Sequence, residues 1–141
     1  MKQSVFSKSF IIGISIFCIL LGLLVLTGWY TNTVELIQVL PVFVPMQYNT
    51  ALGFLLGGIS LFLAYKKKFN IATGLLIILG CIGSLTLVEY ITGINIGLDE
   101  LFMKHYITVE TSHPGRMAPN TALCFFLSSI AILLTFGKNV K

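Results

Sequence analysis

The chain has 141 residues, 56% of them hydrophobic and only 10% charged, with a mean hydropathy of +0.95. A soluble domain of this size needs far more charge to cover its surface, so the composition excludes one and points to an all-α integral membrane protein. The net charge of +4 is no sign of nucleic-acid binding, because the cations gather at one end of the apolar stretches.

Four such stretches cover residues 9–29, 49–65, 70–90 and 119–136. As helices the first and third are about 31 Å long and the other two about 26 Å, enough to cross the hydrocarbon core. The first follows Lys2 and Lys8 but is too long for a signal-peptide core. It also ends in Gly28-Trp29-Tyr30 rather than at a small-residue cleavage site, so it reads as a retained span with Trp29 and Tyr30 as interfacial anchors. In the loop that follows, VELIQVL before Pro41 predicts a short interfacial helix capped by Thr33.

The second span opens on Asn49-Thr50 and ends at Lys66-Lys67-Lys68. The third carries Glu89 one turn from its far end. That carboxylate either snorkels to the interface or pairs with Arg116 or a ligand. In the second loop, GLDELFMKHY predicts a helix starting near Asp99, with Leu98, Leu101 and Phe102 on one face. The fourth span opens on Pro119-Asn120-Thr121.

Lys2, Lys8, Lys66, Lys67, Lys68, Lys138 and Lys141 share one side with no acid among them. Lys104 and Arg116 share the other with Glu35, Glu89, Asp99, Glu100 and Glu110. The positive-inside rule therefore predicts cytoplasmic termini in a bacterial inner membrane, with the lysines near anionic headgroups.

Residues 46–65, MQYNTALGFLLGGISLFLAY, align with 117–136, MAPNTALCFFLSSIAILLTF, at nine identical positions. Upstream, Tyr30 aligns with Tyr90 and Glu35-Leu36 with Glu100-Leu101 if the second loop carries an insertion. The expectation is one membrane domain made of two helix–outer loop–helix repeats, about 9–66 and about 70–137, in the same orientation. The repeated helix carries small residues at helical spacing: Thr50, Gly53, Gly57, Ser60 and Ala64, and Thr121, Cys124, Ser128, Ala131 and Thr135. Without a hydrophobic drive in lipid, such stripes bring helices together, most simply with each other across a pseudo-twofold axis. Asn49 and Asn120 suit N-cap positions, and Pro119 suits an extended approach to its helix. Two helix starts side by side also form a candidate ligand or switch site, with Asn49, Asn120, Arg116, Glu89, Asp99 and His113 as its residues.

Cys18, Cys81 and Cys124 lie inside spans without a CxxC, as small apolar packing residues. His105 and His113 are eight residues apart with no fixed geometry, weak grounds for a metal or haem, so no metal and no cofactor are expected. No nucleophile elbow, phosphate-cradling loop or paired span carboxylate points to an enzyme.

GINIGLDELF followed by HPGRMAPNTALCFFLSSIAILL resembles the multi-span N-terminal membrane region of bacterial sensor histidine kinases and diguanylate cyclases. The resemblance covers about residues 70–136 and rests on Asp99, Leu101, Phe102, Pro114, Gly115, Arg116, Met117, Pro119, Asn120, Thr121 and Ala122. It implies a sensory input domain that signals through its last helix to cytoplasmic PAS, kinase or GGDEF domains. The sequence stops at Lys141 without an output domain, so the expectation is an excised module or a free-standing relative acting through a partner. The expected partners are the lipid bilayer, a second copy or a cytoplasmic signalling protein, and an unknown small ligand, with no nucleic acid. The alternatives are a small dimeric proton-coupled transporter, which needs Glu89 as its membrane acid, and an assembly subunit of a membrane complex.

Overall fold

The computed structural model describes residues 5–38, 40, 43–107 and 113–137, with side chains only from 8 to 136 within these ranges. It contains four helices: α1 (Val5–Thr31), α2 (Tyr48–Tyr65), α3 (Phe69–Thr92) and α4 (Pro119–Gly137). All four are long and apolar enough to cross a membrane, and no strand occurs among the described residues.

The helix ends follow local chemistry. α1 stops at Asn32, which takes the left-handed conformation (φ 56°) open to Asn at modest cost. α2 stops at the three lysines, where Lys67 (φ 60°) turns the chain into α3. α3 ends on Gly93 (φ 71°), whose N–H donates to Glu89 O in the left-handed C-terminal cap that glycine favours. Pro119 is the first residue of α4, where its missing N–H leaves no bond unmade. It belongs to the helix rather than to the extended approach.

α1 lies along α2 and α3 along α4; α2 and α3 share a smaller contact, and α2 meets α4 narrowly. Among the described residues α1 touches neither α3 nor α4. The two main pairs use the same contact. A Cβ on Gly22 would lie 2.7 Å from Ala51 O and 2.8 Å from Leu55 N; one on Gly83 would lie 2.7 Å from Ala122 O and 3.0 Å from Phe126 N. Ala51 and Ala122 are completely buried. One turn on, a Cβ on Gly58 would meet Ile19 N at 2.9 Å, and one on Gly80 would meet the Ser129 side chain at 3.4 Å. At the loop end, Trp29 Nε1 donates to Met46 O (3.0 Å) and the Tyr90 hydroxyl to Met117 O (3.1 Å).

These contacts correct the predicted packing stripes. Gly53 does face α4, where its missing Cβ makes room for the Phe125 ring, but Gly57 faces Leu79 of α3. Ser60 is buried, its hydroxyl bonded back to Leu56 O. Thr50 and Thr121 are half-buried, whereas Cys124, Ser128, Ala131 and Thr135 are exposed. α4 instead turns Ala122, Ser129 and Phe136 inward. Along α3 the close approach to α4 comes from Gly83 and Gly80, so the face of α4 is chosen by what opposes it and not by its own smallest residues. Nor is Trp29 an interfacial anchor: it is 2% exposed, while Tyr30 faces outward and shares a hydrogen bond with Tyr48. Cys18 is partly buried, but Cys81 and Cys124 are exposed rather than packed.

Neither predicted loop helix forms as expected. The first is reduced to one 3-10 turn, Val34–Leu36, in which the Thr33 side chain makes no cap bond and its hydroxyl pairs with that of Thr31. Residues 98–107 form turns and extended chain, with Leu101 and Phe102 exposed. Asp99 and Glu100 are drawn elsewhere, and that competition removes the helix start. Glu110, Lys2, Lys138 and Lys141 lie outside the described residues.

Candidate functional site

The second loop, from Gly93 to Ala118, reaches the loop end of every helix. Tyr106 packs its ring edge-on against Trp29 of α1 (5.0 Å between centroids), and His105 lies 5.7 Å from the same indole. Phe102 stacks on Tyr48 at the start of α2 (6.1 Å), and the Asn49 side-chain amide donates to Leu98 O (2.9 Å). On α3, Glu89 Oε1 accepts the Ile96 N–H at 2.8 Å. Gly115 (φ 77°) brings the chain back toward α4; a Cβ there would lie 2.9 Å from Asp99 O, so the turn needs glycine for both its conformation and its closeness.

That turn delivers Arg116 into the interior. Its Nε lies 2.6 Å from Asp99 Oδ2 and 3.5 Å from Glu89 Oε2. The guanidinium carbon sits 5.3 Å from the Tyr90 ring centroid, and His113 packs on that ring from 5.7 Å. Arg116 is 6% exposed, Asp99 5% and Glu89 0%, so three ionisable groups share a space closed to bulk water. Two carboxylates face one cation. Asp99 Oδ1 and Glu89 Oε2 have no hydrogen-bond partner among the described residues. Burial raises the Asp99 carboxyl above its ordinary value; the Arg116 bond pulls it down less, and the nearby Glu89 carboxylate adds to the rise. Such a cluster responds to protonation and to any displacement of its cation.

The six candidate ligand or switch residues therefore separate. Arg116, Glu89 and Asp99 converge, and Glu89 pairs inward instead of snorkelling. His113 joins through Tyr90. Asn49 is buried beside them but caps nothing: it lies inside α2, the residue before the helix is Gln47, and its amide serves the second loop. Asn120 is exposed, its Oδ1 accepting the adjacent Thr121 N–H at 2.9 Å. Tyr90, Gly115 and Trp29 belong to the site but were not among the candidates. The available signal was a heptad pair: Ser15, Cys18, Gly22, Val25 and Trp29 in α1 match Leu76, Leu79, Gly83, Thr86 and Tyr90 in α3, 61 residues on. The contacts thus set Trp29, not Tyr30, against Tyr90.

Beside the cluster a groove of about 780 Å³ runs between the starts of α2 and α4. Arg116, His113 and Tyr90 form one side, and residues 35–38 and 43–47 with Leu21 and Leu24 of α1 form the other. Thr50 and Thr121, the repeated threonines, both line it. No group of three or more His, Cys, Asp or Glu side chains suited to a metal occurs among the described residues. No family model matches the chain, and no curated protein or solved structure is significantly similar to it.

Proposed function

We propose that the chain is a multi-pass module of the bacterial inner membrane, made of two helix–loop–helix copies in one orientation, that serves as a non-catalytic sensory input. A stimulus at its outer end biases the packing of α3 on α4, and the signal leaves through the cytoplasmic end of α4 to an output domain or partner.

Membrane embedding draws support from apolar side chains left outside: Phe17 is 64% exposed, Leu20 61%, Ile71 58% and Leu134 67%. In water such a surface would drive aggregation, whereas in lipid it is the expected exterior. Lys66, Lys67 and Lys68 at the end opposite the cluster fit a cytoplasmic turn. The duplicated architecture draws support from the paired contacts Gly22–Ala51 with Gly83–Ala122, and Trp29–Met46 with Tyr90–Met117.

One observation carries the sensory reading. Arg116 lies three residues before Pro119, the first residue of α4, and is tied to Glu89 of α3, so a change in the cluster is a change in how the two helices meet. Stimulus and output are then linked if the stimulus favours one packing state over another. The transport alternative gains no support, because Glu89 sits near a helix end and is already engaged by Ile96 N–H and Arg116.

A histidine-kinase output domain fused after Lys141 tests the reading. Arg116→Ala and Asp99→Asn are expected to shift autophosphorylation several-fold, and Leu134→Ala, on the exposed face of α4, to leave it unchanged. Output indifferent to both cluster substitutions would remove the proposal.

A further inference from the structure

One wall residue of the groove carries a buried polar atom that the ion cluster does not account for. Gln47, the residue before α2, is 4% exposed and lines the groove, yet its Oε1 has no hydrogen-bond partner among the described residues. A buried acceptor left this way has lost its hydrogen bond to water and gained none in return, a cost that a donor would remove. The Gln47 side chain makes no cap bond to the helix it precedes, so starting α2 does not require an amide at this position. Around it the walls are mostly apolar: Leu21, Leu24, Val25, Val44 and Met46. Sites for small molecules typically have volumes of about 300–1,000 Å³, a range that includes this groove.

We propose that the groove binds an uncharged, largely apolar molecule ending in a hydroxyl group, a phenol or long-chain alcohol, whose hydroxyl donates to Gln47 Oε1. The proposal rests on the membrane reading given above, because the ligand arrives from the bilayer. Leu24 is 50% exposed and carries the apolar wall of the groove onto the outward face of α1, where an alkyl chain can lie. The hydroxyl follows from the unpartnered acceptor, which needs a donor. An anionic head is disfavoured because Arg116 already faces two carboxylates and Glu35 lines the same groove. With Thr50 of α2 and Pro119 and Thr121 of α4 in its walls, the groove lets one ligand bridge the two helix pairs.

The full chain in phospholipid nanodiscs provides the test, with 4-hexylphenol as probe and 4-hexylanisole as its methyl ether lacking the donor. Trp29 is the only tryptophan, and it donates to Met46 O in the groove wall, so its fluorescence, excited beyond the phenol absorption, reports binding. The expected result is a saturable change with the phenol and about tenfold weaker binding of the anisole, the ratio that one lost hydrogen bond gives. Gln47→Ala and the volume-conserving Gln47→Met are each expected to weaken the phenol about tenfold and the anisole little. Equal binding of both probes, a response that only rises linearly with lipid partitioning, or phenol binding unchanged in both variants would overturn the proposal. The kinase-fusion test uses neither probe nor Gln47. A fusion that still answers to Arg116→Ala while the phenol fails to bind would leave the sensory reading intact and remove only the ligand.

Discussion

The Asn49 side chain donates to the Leu98 carbonyl at 2.9 Å, bridging 49 residues of chain. It fastens the start of α2 to the loop between α3 and α4, alongside the ring contacts of Phe102 with Tyr48 and of Tyr106 with Trp29. Asn120, the matching residue in the second copy of the phrase, is exposed and bonds only to its neighbour.

Asn49→Ala is therefore expected to cost about 1–2 kcal/mol, the loss of a buried bond, whereas Asn120→Ala changes stability by less than about 0.5 kcal/mol. Thermal unfolding in detergent micelles measures both. Equal effects would show that the two asparagines do the same job.

Arg116→Met leaves two buried carboxylates without their cation and is expected to destabilise the protein by about 3–5 kcal/mol. Adding Glu89→Gln and Asp99→Asn to that variant removes the unpaired charge and recovers much of the loss. A triple variant less stable than Arg116→Met alone would refute the ionic account.

The raised Asp99 carboxyl predicts a pH dependence of known sign. A group held above its unfolded value of 3.8 stabilises the fold fully below that value, and the contribution fades as pH rises through the folded value. The melting temperature should fall across that window in the wild type and fall less in Asp99→Asn. Parallel profiles for the two proteins would show that Asp99 is not the source.

Gly22→Val and Gly83→Val press a side chain onto backbone atoms of the facing helix and should each cost about 1–3 kcal/mol. Gly13 and Gly74 have open space where a Cβ would stand, so alanine at either is expected to be neutral or mildly stabilising. The comparison needs only melting curves of the four variants.

Cysteine pairs locate the α2–α4 contact. Gly53→Cys with Phe125→Cys should crosslink within one chain, because Phe125 now fills the space against Gly53. Gly57→Cys with Ser128→Cys should not, since Gly57 faces Leu79 and Ser128 is exposed. Crosslinking of the second pair within the monomer would restore the stripe-on-stripe arrangement.

The helices were legible because an apolar run long enough to cross a bilayer has few other stable conformations, and the three lysines at 66–68 mark an end. Gly93 was not singled out, and Pro119 was set before its helix rather than in it. The pairing of Glu89 with Arg116 was legible as one of two readings, because a carboxylate near a span end has few partners of opposite charge. The buried face of α4 was not. Ser128 and Ser129 are equally small, and only Gly80 and Gly83 across the contact decide which one turns inward. The second loop was misread for a related reason. GLDELFMKHY has helical spacing, but Asp99 and Glu100 are taken by Arg116 and the His105 N–H, bonds that no local pattern shows.

The reach of the second loop also sets an order of assembly. α1 and α2 are synthesised first, yet the partners of Asn49, Trp29 and Tyr48 are Leu98, Tyr106 and Phe102. The first helical hairpin emerges from the ribosome with its loop end unfinished and is completed only when the chain beyond α3 arrives. Neither half of the molecule is then a finished unit, and a chain arrested before residue 98 would present an unfilled loop end to quality-control proteases.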